Sequence, residues 1–298
     1  MTDFKPTREA DGSLSPATIS AINAELYHLL DEYSEEKYPS KHREHLGVSI
    51  IGEKCHRKLW YSFRWAKLEK HIPRMKRLFQ RGHLEEPKFA DILGWMGFYV
   101  RTIDQATNRQ YRFTAVNGHY GGSGDSVALL PWFQNDEDLR ILVEYKTANA
   151  KSFAAMKKDG LQKSKPIHYI QMCGYAKAFG IRYGLYLAIN KDDDDIYFEF
   201  LELDWNVATL MEKKAADIIN SQIAPPRISD NPAWFECKYC AFQDVCHHGE
   251  CVEINCRSCK HAQPIENGQW RCNLWNAVIP DRAAIEKGCS QHESINIS

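Results

Sequence analysis

Three polar residues interrupt two otherwise apolar segments near the middle of the chain. Asp125 lies in GGSGDSVALL, and Glu144 and Lys146 lie in ILVEYKT. The alternation of ILVEYKT is that of a half-buried strand, so Glu144 and Lys146 project to one face while Val143 and Tyr145 take the other. Two carboxylates and an ammonium on one sheet edge are costly unless their charge is compensated. A divalent cation between Asp125 and Glu144 would compensate it, and hard carboxylate oxygens suit Mg²⁺ or Mn²⁺. Lys146 beside that cation would orient an attacking water and stabilise charge developing on a phosphoryl group. An ordinary exposed face carrying a Glu-x-Lys pair is the alternative, and that pattern alone does not exclude it.

Cysteine is the second residue type with chemistry to offer. The N-terminal stretch MTDFKPTREADGSLSP has no apolar core, and no run reaches the ~18 apolar residues of a membrane span, so a cytoplasmic, membrane-free protein is expected. Thiols there stay reduced, and the ten cysteines point to metal rather than disulfides. Cys237, Cys240 and Cys246 form C-x₂-C-x₅-C and need a fourth ligand for a closed site. The spacing does not say whether zinc, with His247 as a possible ligand, or iron–sulfur chemistry is meant. Cys256, Cys259, Cys272 and Cys289 follow as a second set, similar to a small zinc-ribbon-like module in which His261 or His292 could replace one thiol. Trp270, Arg271 and Trp275 fall within it and could stack on bases, although packing over the metal is expected of so small a module. Cys173 reads as a buried apolar residue, and Cys251 is unassigned.

The elements that must position these groups follow from periodicity. Apolar residues at helical spacing mark a helix over 17–36, a second from near Ser49 that carries Cys55, and a third over about 75–97. Strand-like runs follow, GFYVRTID, RQYRFTAV, GGSGDSVALLPWF and LRILVEYKT, then a helix over HYIQMCGYAKAFG. YGLYLAIN and IYFEFLEL flank the acidic turn KDDDD, and a long helix, WNVATLMEKKAADIINSQI, precedes the linker APPRISDNP. Strands in the middle with helices on both sides predict an α/β fold with a central mixed sheet. A hydrophobic fraction of 44% can fill its core, and a net charge of −1 confines any basic surface to a local groove. No GxxxxGK[ST] occurs, so the sequence carries no sign of an ATP motor.

Taken in order, Gly124-Asp125, Glu144-Tyr145-Lys146 and Gln171-x₃-Tyr175 resemble the PD-(D/E)xK nucleases, in particular the RecB-like branch that carries an iron–sulfur cluster. RGHLEE places His83 where that branch has a metal-binding histidine, and Arg81 and Glu85 match its R-G-x-x-E helix. Cys55, followed by Arg57, Lys58, Trp60 and Tyr61, stands where the branch supplies a fourth cluster ligand. The likeness spans roughly residues 46–250, and it departs from the family name in one place, with Gly124 instead of proline before Asp125. It implies a restriction-endonuclease-like core and a metal-dependent deoxyribonuclease. Asp125, Glu144 and Lys146 would be catalytic, and His83, Asp125, Glu144 and the Tyr145 carbonyl would hold Mg²⁺ or Mn²⁺. It further implies a [4Fe–4S] cluster on Cys55, Cys237, Cys240 and Cys246 that staples the two ends of the core; at the second cysteine set Zn²⁺ is expected from the spacing, with a second iron–sulfur cluster as the alternative. Gln171, Tyr175, Arg57, Lys58 and Arg81 would position DNA, single strands or free ends being favoured, in replication, recombination or repair. A helicase, a recombinase or a CRISPR adaptation complex would be a fitting partner. A non-catalytic nucleic-acid-binding or assembly subunit of such a complex is the rival reading. The expected organisation is a helical segment over 1–45, the nuclease core over 46–225, the cluster segment over 226–250 and the zinc-type module over 251–298.

Overall fold

A computed structural model describes residues 7–296. The chain divides into two compact units, one made of the segment up to Lys41 together with Lys70–Arg81, the other of His42–Glu69 and Gly82–Ser298. In the first unit, α1 (Pro16–Lys37) begins at Ser15, whose hydroxyl accepts from Thr18 N at 3.1 Å, with Pro16 in the first turn. The buried Lys76 pairs with Glu35, and Arg77 donates to Asp31 and to Ser34 Oγ, each at 2.8 Å.

The second unit holds every candidate catalytic and metal-ligating residue. Its first elements are β1 (Leu46–Gly47) and α2 (His56–Phe63), and α3 (Pro73–Trp95) enters it at Gly82. The strands β2 (Tyr99–Arg101), β3 (Arg112–Ala115), β4 (Tyr120–Ser123), β5 (Ser126–Leu129) and β6 (Ile141–Ala148) follow. Next come α4 (Ala150–Ser164), α5 (Pro166–Phe179), β7 (Tyr183–Asn190), β8 (Ile196–Glu202) and α6 (Trp205–Asn220). The central sheet runs β2-β5-β6-β7-β8 and is mixed, since β6 and β7 are parallel and the remaining pairs antiparallel. A smaller sheet, β1-β4-β3, joins the two strands before Asp125 to the segment before α2.

The alternation of β6 divides the core. Ile141, Val143 and Tyr145 pack with Phe89 and Leu93 of α3 and with Leu185 and Leu187 of β7. Leu142 faces the larger cluster, which includes Met172, Cys173, Tyr175 and Ala176 of α5. Burying that many large side chains stabilises each face by about 1.5–3 kcal/mol per residue, set against the entropy of ordering them. Helix α5 is buried on nearly every side, and Val48, just after β1, closes on it: a methyl at Gly174 would come within 2.4 Å of Val48 Cγ2. It ends at Gly180, whose φ of 66° is the left-handed conformation that glycine adopts without strain.

Two expectations shift. The second helix begins at His56 rather than near Ser49, because Cys55 takes an extended conformation and caps it, its Sγ accepting from Lys58 N at 3.4 Å. Residues 150–164 are helical, with a break at Gly160 (φ 73°), where no helix was expected: Phe153 and Met156 bury a narrow face before the break and Leu161 is buried just after it, in an otherwise lysine-rich sequence. Short elements complete the chain: α7 (Phe235–Lys238), α8 (Gln243–His247), the sheet β9 (Ala262–Pro264), β10 (Trp270–Cys272) and β11 (Ala277–Val278), and α9 (Arg282–Lys287). No helix among the described residues is long and apolar enough to cross a membrane.

Candidate active site

Strand β6 carries Glu144 and Lys146 on the face covered by α5. Glu144 is 0% exposed. Its Oε1 accepts from Gln171 Nε2 at 2.8 Å and from Lys146 Nζ, while its Oε2 is buried with no hydrogen-bond partner. Asp125 sits at the bend between β4 and β5, where its Oδ2 accepts from Tyr145 N at 2.9 Å and so fixes it beside β6. Burial, reinforced by the charge of Asp125, pushes the Glu144 carboxyl up to about 7 against the opposing pull of Lys146. Burial works to discharge Lys146, but Glu144 and Asp125 outweigh it and hold the ammonium above its ordinary range. The cluster therefore sets two carboxylates and an ammonium close enough to shift one another, with one buried carboxylate oxygen unpartnered.

Sequence reasoning left two of its members unnamed. Glu86 of α3 acts electrostatically on Glu144, Tyr145 and Lys146, and His83 Nδ1 meets Glu86 Oε1 at 3.0 Å. Three residues along a helix separate these two, so RGHLEE contained the signal, although Glu85 drew the attention there. Glu85 instead pairs with Lys88 at 3.0 Å. The His83 side chain is 71% exposed and reaches the cluster through Glu86. His168 is the other: its Nδ1 lies 2.8 Å from Tyr186 Oη, and burial, then the charge of Lys146, lowers it to about 3. Tyr186 pairs with Glu144 across the parallel strands, which puts it on the same sheet face.

The remaining positions divide between the site and the core. Gln171 touches Glu144, whereas Tyr175, one turn on, is buried and stacked on Phe179 at 6.0 Å between ring centroids. Arg57 is buried and donates to the Pro225 carbonyl at 2.6 Å, and Lys58 pairs with Glu53 at 3.0 Å. Arg81 closes the Lys70–Arg81 segment of the first unit.

The thiols fall into two groups. Cys55, Cys237, Cys240 and Cys246 line one cavity of about 220 Å³, together with His247 and the rings of Phe235 and Tyr239. Burial raises the thiols of Cys237 and Cys240, and the neighbouring Cys55 and Cys246 raise them further. Cys256, Cys259, Cys272 and Cys289, with His292, surround a cavity of only about 20 Å³. Burial and the three other thiols push Cys256 up to about 11. His292 contacts Ser258 Oγ at 3.0 Å and His261 is engaged by Glu293 at 2.7 Å. Cys251 is exposed and Cys173 is buried in the core.

This cysteine-rich end is fastened to α2. Arg64 donates to Cys259 O at 2.7 Å and to Ala262 O at 3.2 Å. Arg257 is wholly enclosed by Phe63, Trp65 and Trp270, each within 4.6 Å of its guanidinium carbon. Trp270 is thus a core residue, while Trp275 is 63% exposed.

No three His, Cys, Asp or Glu side chains among the described residues are gathered closely enough to hold a metal ion. The donor chemistry nevertheless fits. Asp125 and the bare buried oxygen of Glu144 offer hard oxygens to a divalent cation, and each set of four mutually repelling thiols would be relieved by a bound metal.

No protein-family model and no curated protein sequence matches the chain. Among solved structures, it is similar to an alkaline exonuclease from Laribacter hongkongensis, with 18% identity over 59% of this chain and 87% of that one and a TM-score of 0.41. The same exonuclease in complex with dAMP gives 17% identity, 61% and 90% coverage and a TM-score of 0.43. SSO0001 gives 19% identity over 74% of this chain and 96% of that one, with a TM-score of 0.46. Likenesses this weak fix neither the fold nor the activity of the chain.

Proposed function

We propose that the chain is a metal-dependent DNA nuclease that hydrolyses phosphodiester bonds, acting as an exonuclease on single strands or free ends. The observation that carries this reading is Glu144, a fully buried carboxylate with one oxygen unpartnered beside Asp125 and Lys146. A buried charge cluster of this kind lowers stability and is maintained only where something compensates or uses it. Asp125, Glu144 and the Tyr145 carbonyl, with His83 reaching in beside Glu86, would hold Mg²⁺ or Mn²⁺, which when bound supplies Lewis acidity at the scissile phosphate. Lys146, kept charged by its neighbours, would orient the attacking water and stabilise the negative charge gathering on the phosphoryl oxygens. Gln171 would hold Glu144 in one rotamer through the reaction.

Cys55, Cys237, Cys240 and Cys246 would hold a [4Fe–4S] cluster, a reading supported by a cavity far larger than one ion needs. Cys256, Cys259, Cys272 and Cys289 would hold Zn²⁺, since about 20 Å³ is close to the room of a single water-sized probe. Exposed aromatic rings such as Trp95 and Trp132, at 90% and 78%, suit the stacking of unpaired bases.

The test is digestion of labelled single-stranded, double-stranded, linear and circular DNA with Mn²⁺, alongside Glu144→Gln. Metal-dependent loss of linear substrate by the wild type alone is the expected result. Equal cleavage by both proteins, or cleavage by neither, would overturn the hydrolytic reading. Iron, sulfide and zinc content of anaerobically purified protein tests the cysteine assignments, and colourless protein containing only zinc would remove the cluster.

A further inference from the structure

At the C-terminal end of α5, a second polar cavity opens on the same unit. Its volume is about 210 Å³, and Arg101, Arg112, Arg140, Tyr111, Val127 and Phe179 are among the residues that form its wall. Three elements deliver the guanidiniums independently. Arg101 ends β2 and pairs with Val127 in the central sheet, Arg112 begins β3 opposite Ser123, and Arg140 immediately precedes β6. Each is anchored. Arg101 forks onto Glu137, Arg112 Nε donates to Ser123 Oγ at 3.2 Å, and Arg140 Nη2 donates to the Phe179 carbonyl at 2.9 Å.

The anchoring leaves donors over. Arg112 and Arg140 form no salt bridge among the described residues, although Glu137, which Arg101 holds, also lies in the field of Arg140. The wall also contains Asp104, but its carboxylate already accepts from Ala106 N and Thr107 Oγ1, both at 3.0 Å. Tyr111 packs on Phe179 at 5.7 Å, and burial raises its phenol while Arg101 and Arg140 pull it back, so its hydroxyl lies within the field of both. Converging guanidiniums with spare donors are the usual host of phosphate oxygens, which they meet as a planar fork.

We propose that this cavity is a phosphate-binding subsite for the nucleic-acid strand, with Arg112 and Arg140 donating to one phosphate and Tyr111 adding a hydroxyl. The proposal rests on the nucleic-acid reading of the carboxylate centre. A polymer fits better than a free anion because Tyr99, 51% exposed, lies under Arg101 at 4.9 Å and offers a ring on which a base can stack beside the phosphate. Gln171 contacts Glu144 whereas Phe179, about two turns on, lines the cavity, and no member of the carboxylate cluster is part of its wall. The subsite therefore grips the strand away from the bond that breaks, and its loss should act on binding rather than on the chemical step.

Fluorescence anisotropy of a labelled oligo-dT, measured in chelator over a range of salt, reads binding without cleavage. Arg112→Gln/Arg140→Gln should weaken binding roughly tenfold and flatten the slope of log affinity against log salt by about 0.7, with the melting temperature unchanged. Arg112→Gln alone, which keeps a donor for Ser123, should give about half that change in slope. Unchanged affinity and slope in both variants would overturn the subsite. So would unchanged oligonucleotide affinity together with loss of thermal protection by inorganic phosphate, which would mark a site for a free anion. Cleavage is not read, so the two readings fail separately: an arginine-dependent slope in a protein that cuts nothing would keep the subsite and remove the hydrolytic assignment.

Discussion

The carboxylate centre and the cysteine-rich end solve opposite problems. Asp125, Glu144 and Lys146 come from neighbouring strands of one sheet, and their arrangement lowers stability: a carboxylate is buried with an oxygen left bare. The cysteine-rich end draws Cys55 from the start of α2 to meet thiols near the end of the chain, and its contacts close the fold. Arg64 and Arg257 reach across to main-chain carbonyls and aromatic rings over the same long separation. One region stores electrostatic cost in a site; the other supplies the constraint that lets such a site persist. Substitutions should therefore separate cleanly into those that remove activity and those that remove the fold.

The largest effect should come from Glu144→Gln. Loss of the charge should lower kcat at least about a hundredfold while the melting temperature holds or rises, measured by single-turnover cleavage and calorimetry in parallel. A variant that unfolds would place Glu144 with the structural region and break the contrast. Cys55→Ser should do the reverse, with soluble yield and any brown colour lost together and the melting temperature lowered by more than about 10 °C. Full retention of metal content and stability would exclude Cys55 as a ligand.

A smaller effect is expected where the cysteine-rich end meets α2. Arg257→Ala should destabilise by about 2–4 kcal/mol through lost packing among three rings, whereas Arg257→Met should stay within about 1 kcal/mol. Equal losses in urea melts would show that the guanidinium charge matters there and not its bulk.

The smallest prediction concerns pH in protein with its cysteine sites loaded and no Mg²⁺ or Mn²⁺ added. A glutamate titrates near 4.5 in the unfolded chain, and burial pushes Glu144 up to about 7 in the folded one. The folded state is thus favoured in full below the lower value and loses that advantage as pH rises through the upper one, by about 3 kcal/mol in all. Relative to Glu144→Gln, the wild type should lose melting temperature between about pH 5 and 8 when no Mg²⁺ or Mn²⁺ is added. On the acid side the sign reverses. His168 and His119, lowered by burial to about 3 and about 4, contribute stability that is lost as pH falls below about 6.5. Parallel alkaline limbs for the wild type and Glu144→Gln would sink the assignment of a buried, uncompensated carboxyl.

Much of the fold was legible because the strands alternate cleanly. YGLYLAIN became β7 residue for residue, and ILVEYKT lies within β6. Helix α4 was not legible, since lysines obscure its three buried positions, and neither was the cap at Cys55, which depends on a local Sγ contact. Within the candidate site, Glu144 and Lys146 declared themselves by spacing. Glu86 and His168 stood out less: the spacing of Glu86 from His83 was readable, but nothing in a helical Glu or His alone distinguishes one aimed at a distant strand from one facing water.

Residue order alone therefore determined the acid–base inventory, the face that Glu144 and Lys146 share, the two cysteine spacings and the mixed α/β pattern. Local periodicity is enough for each of these. Tertiary structure decided what those groups experience. It buried Glu144 to 0% exposure, brought Glu86 and His168 to the cluster, and packed Tyr175 and Arg57 away from solvent. It also gathered Cys55 with three distant thiols around one cavity and brought three arginines from three elements around another. Burial and long-range proximity depend on how sheets and helices pack, and no short-range pattern encodes them.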